Sequence, residues 1–230
     1  MGLHHSPRIV TSGLVLALDA ADANSYVSGS SSWFDLSGGN NTGTLTNTPG
    51  YNSANGGSIV FDGTNDYVDG PNLLYGQSKA TLHAWVKKTT ISNQISFGIM
   101  DSLGGNRIEI VWYTNGYLYG EVGPNDNVWV NSLPPTIDTN WHFISIVYDG
   151  TKSTNYEKIT IYFDGVLLTP TAQLGTIAST ITTTGRMIIG NRITGYSNGR
   201  ISNIQIYNKA LSATEVLQNY NALKGRFGLK

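Results

Sequence analysis

Glu109 and Glu121 are the two glutamates that neighbouring strands could bring together. Hydrolysis of a glycosidic bond needs two carboxyl groups facing one sugar, about 5 Å apart in retaining enzymes and about 6.5–9.5 Å apart in inverting ones. The Asn115-Gly116 pair between them is typical of a two-residue hairpin turn, which places Ile110 opposite Glu121. Because side chains alternate along a strand, Glu109 and Glu121 then lie on opposite faces of the sheet. The sequence therefore predicts that they share no substrate and that the protein is not an enzyme.

The same pairing predicts an aromatic surface beside the turn, because it places Trp112 opposite Tyr119 on one face. Aromatic rings with an acceptor nearby suit stacking on the C–H face of a sugar and hydrogen bonding to its hydroxyls. Alternate residues of a predicted strand over 80–88 extend this face. The candidate carbohydrate-binding residues are Trp112, Tyr117, Tyr119, Glu121, Trp85 and His83.

The opposite face of the hairpin is predicted to be core and carries Val111, Tyr113, Leu118 and Val122. A simpler interpretation of the aromatic residues stays open at this point. Strands are enriched in aromatic side chains, which commonly cover a core or pair with neighbours across strands.

Other catalytic and cofactor chemistries lack their sequence patterns. The chain has no cysteine, which excludes disulfides, thiol catalysis and cysteine-ligated zinc. A Ser-His-Asp triad would need His83 or His142, and no Gly-x-Ser-x-Gly turn is present. No glycine-rich loop with phosphate-binding spacing opens a helix. We therefore expect His83 and His142 to be packed or surface residues in the absence of such a triad.

The composition indicates a folded, nearly neutral, single-domain chain. Of its 230 residues, 13% are charged and 40% are hydrophobic, which permits a core and argues against disorder. A net charge of −1 provides no basic field for phosphates, so nucleic acid is not expected as a partner. Residues 14–18 are too few to span a bilayer, and the start lacks the pattern of a signal peptide. We expect neither membrane insertion nor a signal peptide.

Short β-branched and aromatic runs separated by glycine-containing pairs predict an antiparallel all-β protein. Strands are expected near residues 13–19, 58–62, 80–88, 94–100, 107–114, 117–122, 141–149, 157–163, 166–169, 186–190 and 200–207. Asp164-Gly165 predicts a second two-residue hairpin turn. One helix is expected near the end, with a capping box over residues 212–215 and a stop at Gly225.

Eight segments taken in order carry a family resemblance, namely residues 13–20, 33–45, 59–68, 81–86, 141–143, 162–166, 199–201 and 206–212. Together they resemble laminin-G-like domains of the concanavalin A-like lectin and glucanase superfamily. The resemblance implies an all-β jelly-roll sandwich of two curved antiparallel sheets, with one concave face that often holds sugars in relatives.

The sequence departs from the resemblance at two functional motifs. Enzymatic members carry a Glu-x-Asp-x-Glu strand, whereas none of the four glutamates here has an acidic residue two or four positions away. Relatives often bind calcium through hard oxygen ligands, and Asp19 and the loop 35–43 are possible contributors. The last strand, however, has Ser202 where relatives have an aspartate. Ca²⁺ therefore stays a possible cofactor, and no metal ligand is assigned.

The two ends, residues 4–10 and 219–228, resemble the flanks of such domains in virion proteins of tailed phages. On this basis we expect an N-terminal arm over residues 1–12, a domain over 13–223 and a tail over 224–230. The candidate partner-docking residues are Arg8, Lys224, Arg226 and Phe227. The positive charge of the two arginines and the lysine would steer the encounter with an acidic, partly apolar shell surface.

The expected function is therefore that of a non-catalytic, lectin-like virion protein, assembled in the host cytoplasm. It would be displayed as a capsid decoration or tail-associated component, as a homo-oligomer bound to other virion proteins, and would adhere to surface glycans. A stand-alone carbohydrate-binding module is the alternative, and a glycoside hydrolase is a third candidate that the predicted carboxylate geometry disfavours.

Overall fold

The computed structural model describes residues 8–101, 105–124, 128–192 and 195–230. Its strands are β1 (Leu14–Asp19), β2 (Ser32–Trp33), β3 (Gly43–Thr46), β4 (Gly50–Asn52), β5 (Ser58–Asp62), β6 (Tyr67–Gly70), β7 (Lys79–Lys88), β8 (Ile95–Met100), β9 (Asn106–Trp112), β10 (Leu118–Pro124), β11 (Trp129–Ser132), β12 (His142–Asp149), β13 (Ile159–Phe163), β14 (Val166–Leu167), β15 (Ala172–Leu174), β16 (Arg186–Ile189), β17 (Asn191–Arg192), β18 (Gly195–Tyr196) and β19 (Asn198–Tyr207). The α-helices are α1 (Asn155–Lys158) and α2 (Ala213–Leu223), and 3-10 turns span Ala54–Gly56 and Lys224–Phe227.

The described strands form two main antiparallel sheets and a small hairpin. The eight-stranded sheet has the order β14-β13-β12-β7-β19-β5-β4, with β1 also paired to β19. The nine-stranded sheet has the order β15-β11-β10-β9-β8-β16-β6-β3-β2, and β17 pairs with β18. This architecture confirms the predicted all-β jelly-roll sandwich with a short C-terminal helix. Every predicted strand is present, with its ends within two residues of the expected ones.

The main core lies between the two sheets and follows from the alternation of residues along each strand. In β7, Leu82, Ala84 and Val86 are fully buried in this core. The intervening residues, among them His83 and Trp85, point to the other side of the eight-stranded sheet. Each large apolar side chain buried in this way contributes roughly 1.5–3 kcal/mol.

A second apolar layer covers the outer face of the eight-stranded sheet. Its members include Val10 from the segment before β1, Val216 of α2, and Phe227. Val10 is fixed by two hydrogen bonds, because its N–H donates to Asn219 Oδ1 at 2.7 Å and its carbonyl accepts from the Tyr207 hydroxyl at 2.9 Å. The eight-stranded sheet is therefore buried on both faces where α2 and its flanking segments lie over it.

The predicted capping box of α2 is present. Ser212 Oγ accepts from the Glu215 backbone, and the Glu215 carboxylate accepts from the Ser212 backbone at 2.8 Å. The predicted stop at Gly225 is wrong, because Gly225 lies inside the 3-10 turn that continues the helix. The left-handed residue that ends this segment is Gly228, with φ of 77°. No described helix combines the length and the apolar character needed to cross a bilayer.

Candidate functional site

The turn between β9 and β10 decides which side chains reach the outer face of the nine-stranded sheet. Gly116 N–H donates to the Tyr113 carbonyl at 3.1 Å, and Tyr113 N–H donates to the Tyr117 carbonyl at 2.9 Å. Only Gly116 in this turn has a positive φ, 88°. These features describe a three-residue loop with a left-handed glycine rather than a two-residue turn. One extra loop residue shifts the pairing of β9 with β10 by one position. Each β9 side chain then lies on the opposite face, relative to β10, from the one predicted.

The predicted pairing of the β9–β10 hairpin is therefore wrong. Glu121 pairs directly with Glu109, and Trp112 pairs with Leu118. The two glutamates consequently share the outer face, which contradicts the prediction that they are separated. Trp112 points into the core, where it is fully buried and its Nε1 donates to the Gly116 carbonyl at 3.0 Å. Trp112 cannot stack on a ligand from this position.

Two arginines hold the facing glutamates. Arg107 Nη1 lies 3.1 Å from Glu121 Oε2 and 3.5 Å from Glu109 Oε2. Arg192 places its Nε 3.1 Å from Glu109 Oε2 and its Nη2 2.6 Å from Glu121 Oε1. We call these residues, Arg107, Glu109, Glu121 and Arg192, the ion quartet. The quartet thus brings two acidic and two basic side chains together in the interior, and removing one member costs stability because its buried partners lose a charged contact.

The quartet is closed to solvent. Glu109 and Glu121 are 0% and 3% exposed. Burial raises the pKa of Glu109 to about 7; the charges of Arg192 and Arg107 oppose the shift and that of Glu121 adds to it. A carboxylic acid with a raised pKa beside a second carboxylate is the arrangement of a glycosidase acid–base pair. Here both carboxylates are instead engaged by Arg107 and Arg192, and neither is open to a substrate.

Four half-buried aromatic side chains lie on the same face beside the quartet, and we call them the open-face aromatics: Tyr113, Tyr117, Tyr119 and Trp129. Tyr119 is central, since its ring centroid lies 5.8 Å from that of Tyr113, 6.5 Å from that of Tyr117 and 5.2 Å from that of Trp129. Its hydroxyl accepts a hydrogen bond from Asn115 Nδ2 at 3.0 Å. The contacts are edge-to-face or tilted, which leaves several ring faces and hydroxyls at the surface.

The structure thus retains part of the predicted carbohydrate site. Tyr117, Tyr119 and Glu121 share one face as expected, although Glu121 belongs to the closed quartet. The assignment of Tyr113 to the core is wrong, since it lies on the outer face beside Tyr119. Arg192 reaches over this tyrosine as well, with its guanidinium carbon 5.8 Å from the ring centroid.

His83 and Trp85 belong to the other sheet and lie beneath the second apolar layer, both fully buried. Trp85 stacks on Phe227 with a centroid distance of 4.2 Å. Burial lowers the pKa of His83 to about 3, although the hydrogen bond that its Nε2 donates to Gln205 Oε1 acts in the opposite direction. The expectation that His83 and Trp85 extend the binding face is therefore wrong, while the expectation that His83 is packed is confirmed.

The proposed docking residues are divided between the interior and the surface. Phe227 is 8% exposed and packs on Trp85, and Arg226 makes two 2.8 Å contacts with Asp19. The burial of Phe227 contradicts its assignment as a docking residue, whereas Arg226 is paired with Asp19 and partly exposed. Arg8 is exposed, and Lys224 is half-buried with its ammonium 5.6 Å from the Tyr220 ring. Residues 1–7 of the predicted arm lie outside the described residues.

The possible calcium contributors have other partners. Asp19 is bound by Arg226 and also accepts from the Ala21 backbone at 2.9 Å. Asp35 accepts four hydrogen bonds, from the backbones of Ala17, Ser37 and Asn41 and from the Ser37 hydroxyl. Among the described residues, no group of three or more histidine, aspartate and glutamate side chains could hold a metal ion. The donor set does not fit a calcium site here.

His142 lies between two carboxylates at the end of the main core. Its Nδ1 is 2.7 Å from Asp164 Oδ2, and its Nε2 is 3.0 Å from Asp138 Oδ1. Its ring stacks on Phe163 at 4.4 Å. Burial acts to lower the pKa of His142, but the hydrogen bonds and charges of Asp164 and Asp138 outweigh it, and the pKa is raised. Both ring nitrogens of His142 therefore face carboxylate oxygens, which favours the doubly protonated ring.

A family model described as the concanavalin A-like lectin/glucanases superfamily matches residues 62–217. The chain belongs to this superfamily. No curated protein is significantly similar to it.

Several solved structures have folds similar to the two-sheet sandwich over more than nine tenths of this chain. One is domain 4 of the extracellular arabinanase AbnA from Geobacillus stearothermophilus, in complex with arabinotriose, with a TM-score of 0.65 and 20% sequence identity. The match covers 91% of this chain and 98% of the arabinanase domain. The botulinum neurotoxin serotype D binding domain has a TM-score of 0.65 at 14% identity, and Trypanosoma rangeli sialidase in complex with sialic acid has 0.62 at 14%. They cover 92% and 93% of this chain, which spans only 51% and 33% of theirs. At these identities the likeness establishes the fold alone.

Sequence reasoning missed Trp129, Arg107 and Arg192. Trp129 lies in the four-residue strand β11, too short for alternation to identify it. The position of Arg107 could have been predicted, because it lies two residues before Glu109 and therefore on the same face of the strand. Arg192 had none, since it comes from the β17–β18 hairpin, 71 residues after Glu121 in the chain.

Proposed function

We propose that this protein is a non-catalytic carbohydrate-binding domain that holds glycans on the open-face aromatics. The observation that carries the proposal is the continuous group of half-buried rings around Tyr119 on the uncovered face of the nine-stranded sheet. Ring faces contribute stacking on sugar C–H groups, and the tyrosine hydroxyls and Asn115 supply hydrogen bonds. Two of the similar solved structures hold sialic acid or arabinotriose, which makes these sugars suitable first probes.

The ion quartet lies beside the open-face aromatics on the same face and stabilises the strands that carry them. Arg192 bonds both glutamates and also reaches over Tyr113, so one guanidinium links the β17–β18 hairpin to β9 and β10. A fixed network of charged hydrogen bonds limits the motion of the strands that carry the rings, and rigid aromatic anchors bind with less loss of side-chain entropy.

Binding is tested by titrating arabinotriose and sialic acid, and then a glycan array, against the wild type and the variants Tyr119→Ala and Trp129→Ala. Loss of a stacking ring should weaken affinity by about 1 kcal/mol or more. Tyr75→Ala is the matched control, because Tyr75 is 64% exposed and lies outside the group. Absence of any millimolar ligand, or equal weakening by the control, would contradict the proposal.

A glycoside hydrolase is the second candidate, favoured by the facing Glu109 and Glu121. The engagement of both carboxylates by arginines and their burial argue against it. Sustained release of reducing sugar by the pure protein, abolished by both Glu109→Gln and Glu121→Gln, would establish the hydrolase.

We further propose that the domain is a component of a phage particle, on the strength of the resemblance of residues 4–10 and 219–228 to virion proteins. The segments that lead into and out of the sandwich, around Val10 and Phe227, pack on the eight-stranded sheet, away from the open-face aromatics. Attachment through this side would leave the open-face aromatics accessible to a glycan. Mass spectrometry and cryo-microscopy of purified particles should find the protein in stoichiometric copies; its absence would refute the virion role.

A further inference from the structure

Two cationic side chains stand directly opposite each other on the outer face of the eight-stranded sheet. Lys87 of β7 pairs with Arg200 of β19. Both belong to the set of β7 and β19 residues that points away from the main core, and both are half-buried. Like charges directly opposite on neighbouring strands destabilise a sheet. Such a pair therefore needs a compensating negative charge.

No side chain of the described chain supplies that charge. Within the described part of the chain, neither Lys87 nor Arg200 forms an ion pair with a carboxylate. Asp62 lies two positions along β5 from Val60, the β5 partner of Arg200, and makes no ion pair with it. Asp138 is the other nearby carboxylate, next in sequence to Thr139, and it is held by His142 and the Asn140 backbone.

A small cavity opens at this pair. It has a volume of about 160 Å³ and is lined by Lys87, Lys88, Thr89, Thr139 and Arg200. That volume corresponds to about five waters at roughly 30 Å³ each. The lining thus combines a planar guanidinium, an ammonium and two hydroxyl-bearing threonines, all of which can donate hydrogen bonds.

We propose that this cavity, the Lys87–Arg200 site, binds an oxyanion group such as phosphate, sulfate or a sugar carboxylate. A guanidinium bonds two oxygens of such a group in parallel, and the lysine adds a point charge from the opposite strand. Hydroxyl donors from Thr89 and Thr139 complete the surroundings of a small anion. The site lies on the opposite sheet from the open-face aromatics, so it is separate from the proposed glycan face.

Isothermal titration at fixed ionic strength tests the site, using inorganic phosphate, sulfate and glucuronate as probes. We expect saturable binding of at least one probe to one site, weakened at least fivefold by Lys87→Gln or Arg200→Gln and abolished by the double variant. Lys152→Gln is the control, since it removes the same charge from an exposed position outside the cavity. Binding of phosphate or sulfate would identify a free anion, and binding of glucuronate alone would identify an acidic sugar as the source.

Thermal unfolding gives an independent readout. Without anion, Arg200→Gln should melt no lower than the wild type, because the substitution relieves a repulsion. The probe should raise the melting temperatures of the wild type and of the Lys152→Gln control by more than that of Arg200→Gln. No saturable binding of any probe, or equal weakening by the control variant, would overturn the site. Tyr119→Ala should bind the anion normally, so failure here and failure of the glycan proposal are distinguishable.

Discussion

The clamp of His142 between Asp138 and Asp164 predicts a pH-dependent contribution to stability. The carboxylates raise the pKa of His142 in the folded protein above its ordinary value of 6.5. The folded state therefore binds the proton more tightly than the unfolded state does. The extra stability is fully present below pH 6.5 and is lost as the pH rises through the raised folded pKa.

The size of this contribution follows from the two contacts. A hydrogen bond to a charged group contributes about 1.5–3 kcal/mol. The side chains of His142 and Asp164 are 8% and 26% exposed, whereas that of Asp138 is 35% exposed and its contact is weakened by solvent. Allowing for this screening and for the cost of burying the imidazolium, we expect the clamp to contribute about 1–3 kcal/mol below pH 6.

The measurement is urea unfolding of the wild type and His142→Asn between pH 5 and pH 9. Other groups also contribute in this range; for example, burial raises the pKa of Glu109 to about 7 and lowers that of Lys88 to about 8. These groups are present in the two proteins, so the difference in unfolding free energy isolates His142. That difference should be largest at pH 5 and shrink as the pH rises. A difference that stays constant or grows with pH would refute the clamp.

Three further predictions concern packing and backbone geometry. Trp112→Ala should lower the unfolding free energy by about 3–5 kcal/mol in urea unfolding, because the ring is fully buried; a loss under 1 kcal/mol would mean that it is not in the core. Gly116→Ala should lower the unfolding free energy by about 1 kcal/mol or more, since φ is 88° and the new Cβ would clash with Ile137 Cδ1; unchanged stability would contradict the left-handed conformation of Gly116. Arg226→Gln should cost about 1 kcal/mol at low salt and less at high salt through its partly exposed bidentate pair with Asp19; a salt-independent loss would point to packing instead.

Period-two alternation and turn chemistry were sufficient to predict the long strands and the sandwich. Asp164 and Gly165 both have positive φ, 50° and 79°, so that hairpin has the predicted two-residue turn. Asn115-Gly116 carries the same kind of turn signal, yet only its glycine is left-handed, and the loop has three residues. Both loop lengths accept an Asn-Gly pair. Packing of Ile137 against Gly116 is a contact between distant segments that no local pattern contains.

The residues of the candidate site could be predicted only where the pairing of β9 with β10 was predicted correctly, because the pairing determines which side chains share a face. Tyr117, Tyr119 and Glu121 lie on the same strand and keep their predicted common face, whereas Trp112 and Glu109 lie on the partner strand, and the change in pairing moved them to the opposite face. Trp85 failed for a different reason. Its strand alternates as expected, but the side chain is covered by Phe227, which follows it by more than 140 positions in the chain.

The unequal covering of the two sheets has a consequence for how this scaffold can change over time. The eight-stranded sheet has an apolar layer on each side, and Trp85 is buried in the outer one. Almost any replacement of Trp85 or its neighbours therefore costs folding free energy. Tyr119 and Trp129 stand over a single layer and meet water on the other side, where substitutions usually change stability by less than 0.5 kcal/mol. The exposed side can therefore drift towards new ligands while the doubly covered sheet preserves the fold.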